Sequence, residues 1–232
     1  MIAAEAIGKT LGGKEILTGV SFEIDAGLVA LIGRNGAGKS TLLRILSGLW
    51  KPTRGTVRIG GYDLHTHPIE AKRIHGIQPE HPDLHPAMRP AELLRFAAAA
   101  RGLEPSRIDA GAARFGAEDL LNQPCGSLSY GQRRVITLIA ATMHNPQVLL
   151  LDEPTNALDP HRVAALKSYL RSAEGPRVAL VATHQLDFIA TVASRFILMR
   201  ERTIVADGTL EALQKQLGMP GASLETMVLR TT

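Results

Sequence analysis

Apolar and polar positions alternate along residues 16–24 (ILTGVSFEI), the period of a strand with one buried face. Gly12-Gly13 just before this run is a turn signal, so the chain is expected to open on antiparallel strands. Residues 29–32 form a short continuous apolar run, followed by a glycine-rich loop and then a helical stretch expected over about 39–49. Residues 56–59 read as another strand, closed by Gly60-Gly61. From His81 to about Asn145 the character changes. Pro82, Pro86 and Pro90 punctuate the entry, and then Ala, Leu, Glu and Arg dominate (AELLRFAAAARGL), which predicts a mostly helical insertion. Continuous apolar runs return at 148–151 and 178–182, of the kind found in parallel sheets covered on both faces, with a helix expected over about 161–172 between them. Residues 196–205 read as a final hairpin and 210–217 as a short helix; the sequence contains no internal repeat. The outline is an α/β core, residues 1–80 and 146–232, interrupted by a helical subdomain at 81–145.

Composition narrows this outline. The 232 residues, 45% of them hydrophobic, suffice for one large domain with a sizeable core. The mostly apolar stretch 135–143 is far shorter than the roughly 20 residues that span a bilayer. Glu5 and Lys9 interrupt the apolar residues at the start, so no signal-peptide core forms and a cytoplasmic location is expected. The one cysteine, Cys125, allows no intramolecular disulfide and is expected to be a packed side chain. The net charge of +4 is scattered, with no Lys/Arg run to form a nucleic-acid track. His65, His67, His75, His81 and His85 fall close together, but Pro82 and Pro86 deny His81 and His85 a shared helix face, and a solvated loop is expected there.

Two segments carry chemistry. Residues 33–40 read GRNGAGKS and satisfy G-x-x-x-x-G-K-[ST] between an expected strand and helix. Gly33, Gly36 and Gly38 let the backbone curl, with Arg34, Asn35 and Ala37 between them, so that N–H groups and a helix N-terminus face a phosphate. Lys39 would reach the β- and γ-phosphates, Ser40 would ligate Mg²⁺, and Thr41 would donate to the α-phosphate. The second segment, VLLLDEP at 148–154, ends a buried strand in two acids at the edge where α/β sheets bind ligands. Asp152 would hold Mg²⁺, and Glu153 would act as general base toward the attacking water.

LSYGQ at 128–132 resembles the LSGGQ signature of the ABC ATPases, NALDP at 156–160 resembles the D-loop of that family, and Ala182-Thr183-His184 resembles its switch histidine. The resemblance runs through essentially the whole chain. It implies a P-loop NTPase, RecA-like core with an antiparallel β-subdomain and an α-helical subdomain. It also implies binding and hydrolysis of Mg-ATP by a homodimer, or a heterodimer with another ABC ATPase subunit. Each ATP would lie between one P-loop and the partner's signature, here Ser129, Gly131 and Gln132. His184 would contact the γ-phosphate, and Asp159 belongs to the shared site through the D-loop. The resemblance further implies an integral membrane permease as partner, at the inner face of the cell membrane, and no nucleic acid. The rival reading, a soluble ABC ATPase acting on nucleic acid or the ribosome, usually carries a second ATPase domain, a coiled coil or a zinc site, and the sequence has none of these.

Three positions depart from the family pattern. Leu11 stands where an aromatic usually stacks on adenine, Glu80 takes the place of the Q-loop glutamine with Gln78 as the alternative, and Tyr130 replaces the first signature glycine. Glu80 is accordingly a third candidate around Mg²⁺. The ending SLETMVLRTT at 223–232, with Pro79-Glu80, resembles the drug- and antibiotic-exporter branch, an ABC-2-type exporter, and leaves the cargo unnamed.

Overall fold

The computed structural model describes residues 1–231. Strands β1 (Ile2–Leu11) and β2 (Lys14–Ile24) turn at Gly12 and Gly13, and β3 (Gly27–Gly33) runs through the glycine-rich loop into α1 (Lys39–Leu46). Then come β4 (Arg54–Ile59), β5 (Tyr62–Asp63), α2 (Pro68–Ile74) and β6 (His75–Gln78). Helices α3 (Pro90–Ala99), α4 (Ser106–Arg114) and α5 (Tyr130–Thr142) occupy the block that the prolines introduce. The chain continues with β7 (Val148–Asp152), α6 (Pro160–Arg171), β8 (Val178–Ala182), α7 (Leu186–Ala190), β9 (Arg195–Arg200), β10 (Thr203–Gly208), α8 (Leu210–Gln216) and α9 (Leu224–Thr231).

Two sheets result. One is antiparallel, in the order β2-β1-β4-β5; the other has the order β10-β9-β3-β8-β7-β6 and is parallel except for the β10–β9 hairpin. Period-two alternation divides the apolar runs of the second sheet between its faces. Ala30, Ile32, Leu149, Leu151, Ala179 and Val181 face a core with α3, α4, α5 and α6. Val29, Leu31, Val148, Leu150, Val178 and Leu180 face the other core, with α1 and the antiparallel sheet. Parallel pairing brings the C-terminal ends of β3, β7 and β8 to one edge, where the glycine-rich loop, Asp152-Glu153 and Thr183-His184 all emerge. The fold is α/β, as expected.

Several boundaries differ from the expectation. Helix α1 stops at Leu46 rather than about residue 49, because Gly48 takes φ 71° and the Leu49 N–H turns back to the Arg44 carbonyl. The hairpin starts one residue earlier and ends three later than the periodicity places it, and Glu201 and Arg202 form its turn at φ 47° and 75°, conformations that non-glycine residues seldom signal. In β2 the alternation slips at Gly19 (φ 60°): Ile7 pairs with Val20 but Lys9 with Leu17, so three positions of β2 span two of β1. Leu17 thereby enters the core and Ile16 is left half-buried. Helices α2, α7 and α9 and strand β6 are not evident in the hydrophobic pattern; α9 covers the exporter-like ending, of which Thr232 lies outside the described residues. Cys125 is fully buried, as expected, and burial pushes its thiol pKa up.

Candidate active site

The glycine-rich loop is built around its own lysine. Lys39, only 7% exposed, donates from Nζ to the Gly33 carbonyl at 2.6 Å and to the Arg34 carbonyl at 3.2 Å. Gly36 and Gly38 take φ of 84° and 104°, and a Cβ on Gly38 would lie 2.6 Å from Leu17 Cδ2, so glycine is required there twice over. Helix α1 has no side-chain cap and no acid in its first turn, which leaves its N–H groups open toward the loop. Burial pulls the Lys39 ammonium below the usual lysine range, opposed by the nearby carboxylates of Glu153, Asp152 and Glu80.

Beside it lies a cavity of about 470 Å³, lined by Asn35, Gly36, Gly38, Lys39, Ser40, Thr41, Glu80 and Glu153 and closed on one side by Lys14, Ile16 and Arg202. Arg34 and Ala37 line a separate, smaller depression with Met199 and Glu201. Asp152 ends β7 with a 4% exposed carboxyl, which burial and the charges of Glu80 and Glu153 push up to about 6 against the hydrogen bond from Ser40. Its Oδ1 is buried and has no hydrogen-bond partner in the protein.

Glu153 is held at φ 49° by its N–H bond to the Ala182 carbonyl (2.7 Å). Its Oε2 accepts from the Thr183 hydroxyl (3.0 Å) and the His184 N–H (3.3 Å), and its Oε1 lies 2.9 Å from His184 Nδ1. The glutamate is buried while the imidazole is 59% exposed, so this pair presents a fixed acid beneath a solvent-facing ring. Behind both acids runs Arg134, fully buried, whose guanidinium donates to the carbonyls of Glu80, Asp152 and Glu153.

The remaining sequence candidates sit apart from this cavity within one chain. Ser129 is the N-cap of α5, where its hydroxyl accepts from the Gln132 N–H (3.2 Å) and Gln132 Oε1 accepts from the Ser129 N–H (2.8 Å). A Cβ on Gly131 would meet the Ala157 carbonyl at 2.2 Å, so glycine here is fixed by the approach of the 156–160 loop. Asp159 caps α6 through the Arg162 N–H at 3.0 Å. Leu11 lies at the β1–β2 turn, 40% exposed and paired with Lys14, outside the cavity lining. Of the two Q-loop candidates, Gln78 is fully buried and donates to the Arg134 carbonyl, whereas Glu80 lines the cavity. Sequence reasoning missed Ile16, Lys14, Arg202, Thr183 and Arg134. The Gly19 slip was the only signal that could have turned Ile16 toward the cavity, and Arg202 arrives from a distant hairpin that no local pattern announces.

Residues 17–156 match the family described as ABC transporter. The SkfA peptide export ATP-binding protein SkfE of Bacillus subtilis (strain 168) is 35% identical over 205 residues, covering 85% of this chain and 84% of SkfE. A solved "Structure of ATP binding subunit of ABC transporter" superposes with a TM-score of 0.91 at 30% identity, covering 100% of this chain and 99% of that one. The "Dimeric Structure of MJ0796, a Bacterial ABC Transporter Cassette" superposes with a TM-score of 0.80 at 25% identity, over 90% of this chain and 99% of the other. With a phosphate loop, a paired Glu153–His184 and a capped signature helix on that same fold, the chain belongs to the ABC transporter family, as one of its ATP-binding ATPase subunits.

Proposed function

We propose that this chain powers export through a separate membrane permease by hydrolysing ATP at two sites shared between two copies of itself, or between it and a second ABC ATPase subunit. The observation that carries the reading is the convergence of Lys39, Glu80 and Glu153 on one cavity beside the open N-terminus of α1, with Asp152 against Ser40 and His184 paired to Glu153. Asn35, Gly36, Gly38, Lys39, Ser40 and Thr41 bind and orient the triphosphate, and Glu153 takes the proton of the water that attacks the γ-phosphorus as the ADP oxygen leaves. His184 holds Glu153 Oε1 and turns its exposed edge to the γ-phosphate. The unpartnered, buried Asp152 Oδ1 beside the Ser40 hydroxyl fits a hard divalent cation, and Glu80 adds a second carboxylate to that corner. Mg²⁺, when bound there, withdraws charge from the phosphate oxygens.

Ser129, Gly131 and Gln132 open a helix outside the cavity that the chain's own loop lines, which suits contact with a nucleotide on a second copy, with the loop that leads to Asp159 packed against Gly131. Ile16, in the cavity lining, and Leu11, at the β1–β2 turn outside it, are the candidates for the adenine side. Within the fold, residues 81–145 act as the helical subdomain and the rest as the core. Among the described residues no helix is long and apolar enough to cross a membrane, and the ATP-binding subunits it resembles support a membrane permease as partner, with this subunit at its cytoplasmic face. The export direction is supported by the name of SkfE and by the ending at 223–232. Lys39→Ala removes the cation buried in the loop and is expected to abolish ATP hydrolysis; phosphate release at the parent rate would refute the assignment.

A further inference from the structure

We propose that Tyr130, the residue that departs from the signature pattern, is a positioning residue that ties the Glu80 loop to the first turn of α5, so that the cavity's loop carboxylate and the signature end of the helix move as one unit. The inference rests on the reading that Glu80 serves the nucleotide bound in its own chain.

The contacts are specific. Tyr130 is the first residue of α5, immediately after the Ser129 cap, and its ring is directed away from the capping hydroxyl toward the segment that follows β6. Its hydroxyl donates to the Glu80 carbonyl at 2.8 Å. With that proton committed, His81 Nδ1 is the donor in the 3.2 Å contact to the same hydroxyl, and the two rings lie 6.4 Å apart. The Glu80 carbonyl also accepts from Arg134, whose guanidinium lies 5.8 Å from the Tyr130 ring and bonds the carbonyls of Asp152 and Glu153. A glycine at position 130 would leave only Arg134 on this carbonyl, and Arg134 is already shared among three backbone carbonyls. The hydroxyl therefore supplies a direct link between the loop and the helix, beside the one that the buried arginine makes. Since residue 80 is a carboxylate beside Asp152 and Lys39, a small rotation of its peptide changes the charge that the cavity presents.

A double-mutant cycle with Tyr130→Phe and Glu80→Ala in the 232-residue chain tests this, because Phe keeps the ring and Ala at 80 keeps the carbonyl. Tyr130→Phe alone should lower kcat for ATP hydrolysis about three- to tenfold, the rate equivalent of one hydrogen bond, with KM for ATP changed less than about twofold. In the Glu80→Ala background the same change should cost less than about twofold, because the carboxylate through which it acts is gone. Amide exchange of a peptide spanning residues 76–84 should rise about tenfold in Tyr130→Phe, while the strand at Val148–Asp152 keeps its protection. Equal losses in both backgrounds, or unchanged exchange at 76–84, would overturn the proposal and leave Tyr130 as packing. An inert Glu80→Ala would instead remove the premise about Glu80, and the proposal with it.

Discussion

Asp152 is the residue on which opposing demands meet. The proposed role of holding a cation needs it ionised, yet burial holds its folded pKa at about 6, above the ordinary value of 3.8. Between those two values the folded chain keeps a proton that the unfolded chain has released, so this group's contribution to stability falls as pH rises from about 4 to 6. Asp152→Asn should remove that dependence and stabilise the nucleotide-free chain at pH 8 by up to about 3 kcal/mol, read by urea unfolding. A variant less stable than its parent at that pH would show that the carboxylate is favourably paired after all. His144 works in the other direction: burial holds it at about 4, so the folded state refuses a proton that the unfolded chain accepts, and stability drops as pH falls from 6.5 toward 4. Leu11 gives a second test at this scale. If it flanks adenine, Leu11→Tyr should tighten ATP binding by up to about 1–3 kcal/mol, the worth of one stacked base. An unchanged Kd in a titration would assign the base-facing role to Ile16 or another lining residue.

At the level of elements, what the sequence makes legible follows from how local each cause is. The phosphate loop could be read because its geometry depends on glycines and a lysine within eight residues, and the acids at the end of β7 because an apolar run ends at the residues that matter. The runs of β7 and β8 announced a sheet covered on both faces, and both faces are covered. Features set by distant partners were hidden. Ile16 turns to the cavity through a register slip at Gly19, and Arg202 reaches it from a hairpin almost two hundred residues away. Gly131 shows the same limit: motif resemblance marks the position, but its cause is the Ala157 carbonyl from another loop. Gly131→Ala should thus destabilise the chain by about 1–3 kcal/mol through overpacking, although alanine is the better helix former by about 1 kcal/mol. A thermal midpoint equal to or above that of the parent would mean that the 156–160 loop yields freely, and would loosen its assigned link to the signature.

For the whole molecule, the proposed function has one chain present half of each of two sites. The cavity is lined by the loop, Glu80 and Glu153, the last paired to His184, while the capped end of α5 carries Ser129 outside it. Neither half is complete for a γ-phosphate that must be held from both sides. The most direct test of this account is the oligomeric state of Glu153→Gln, which keeps the shape of the site and removes the base, measured by size-exclusion chromatography with light scattering. The account predicts a dimer with ATP and a monomer with ADP, because the γ-phosphate is the group that both halves grip. It also predicts that adding Ser129→Arg abolishes the dimer while nucleotide occupancy, measured on the same sample, stays full. A Glu153→Gln chain that is saturated with ATP and still monomeric would contradict it.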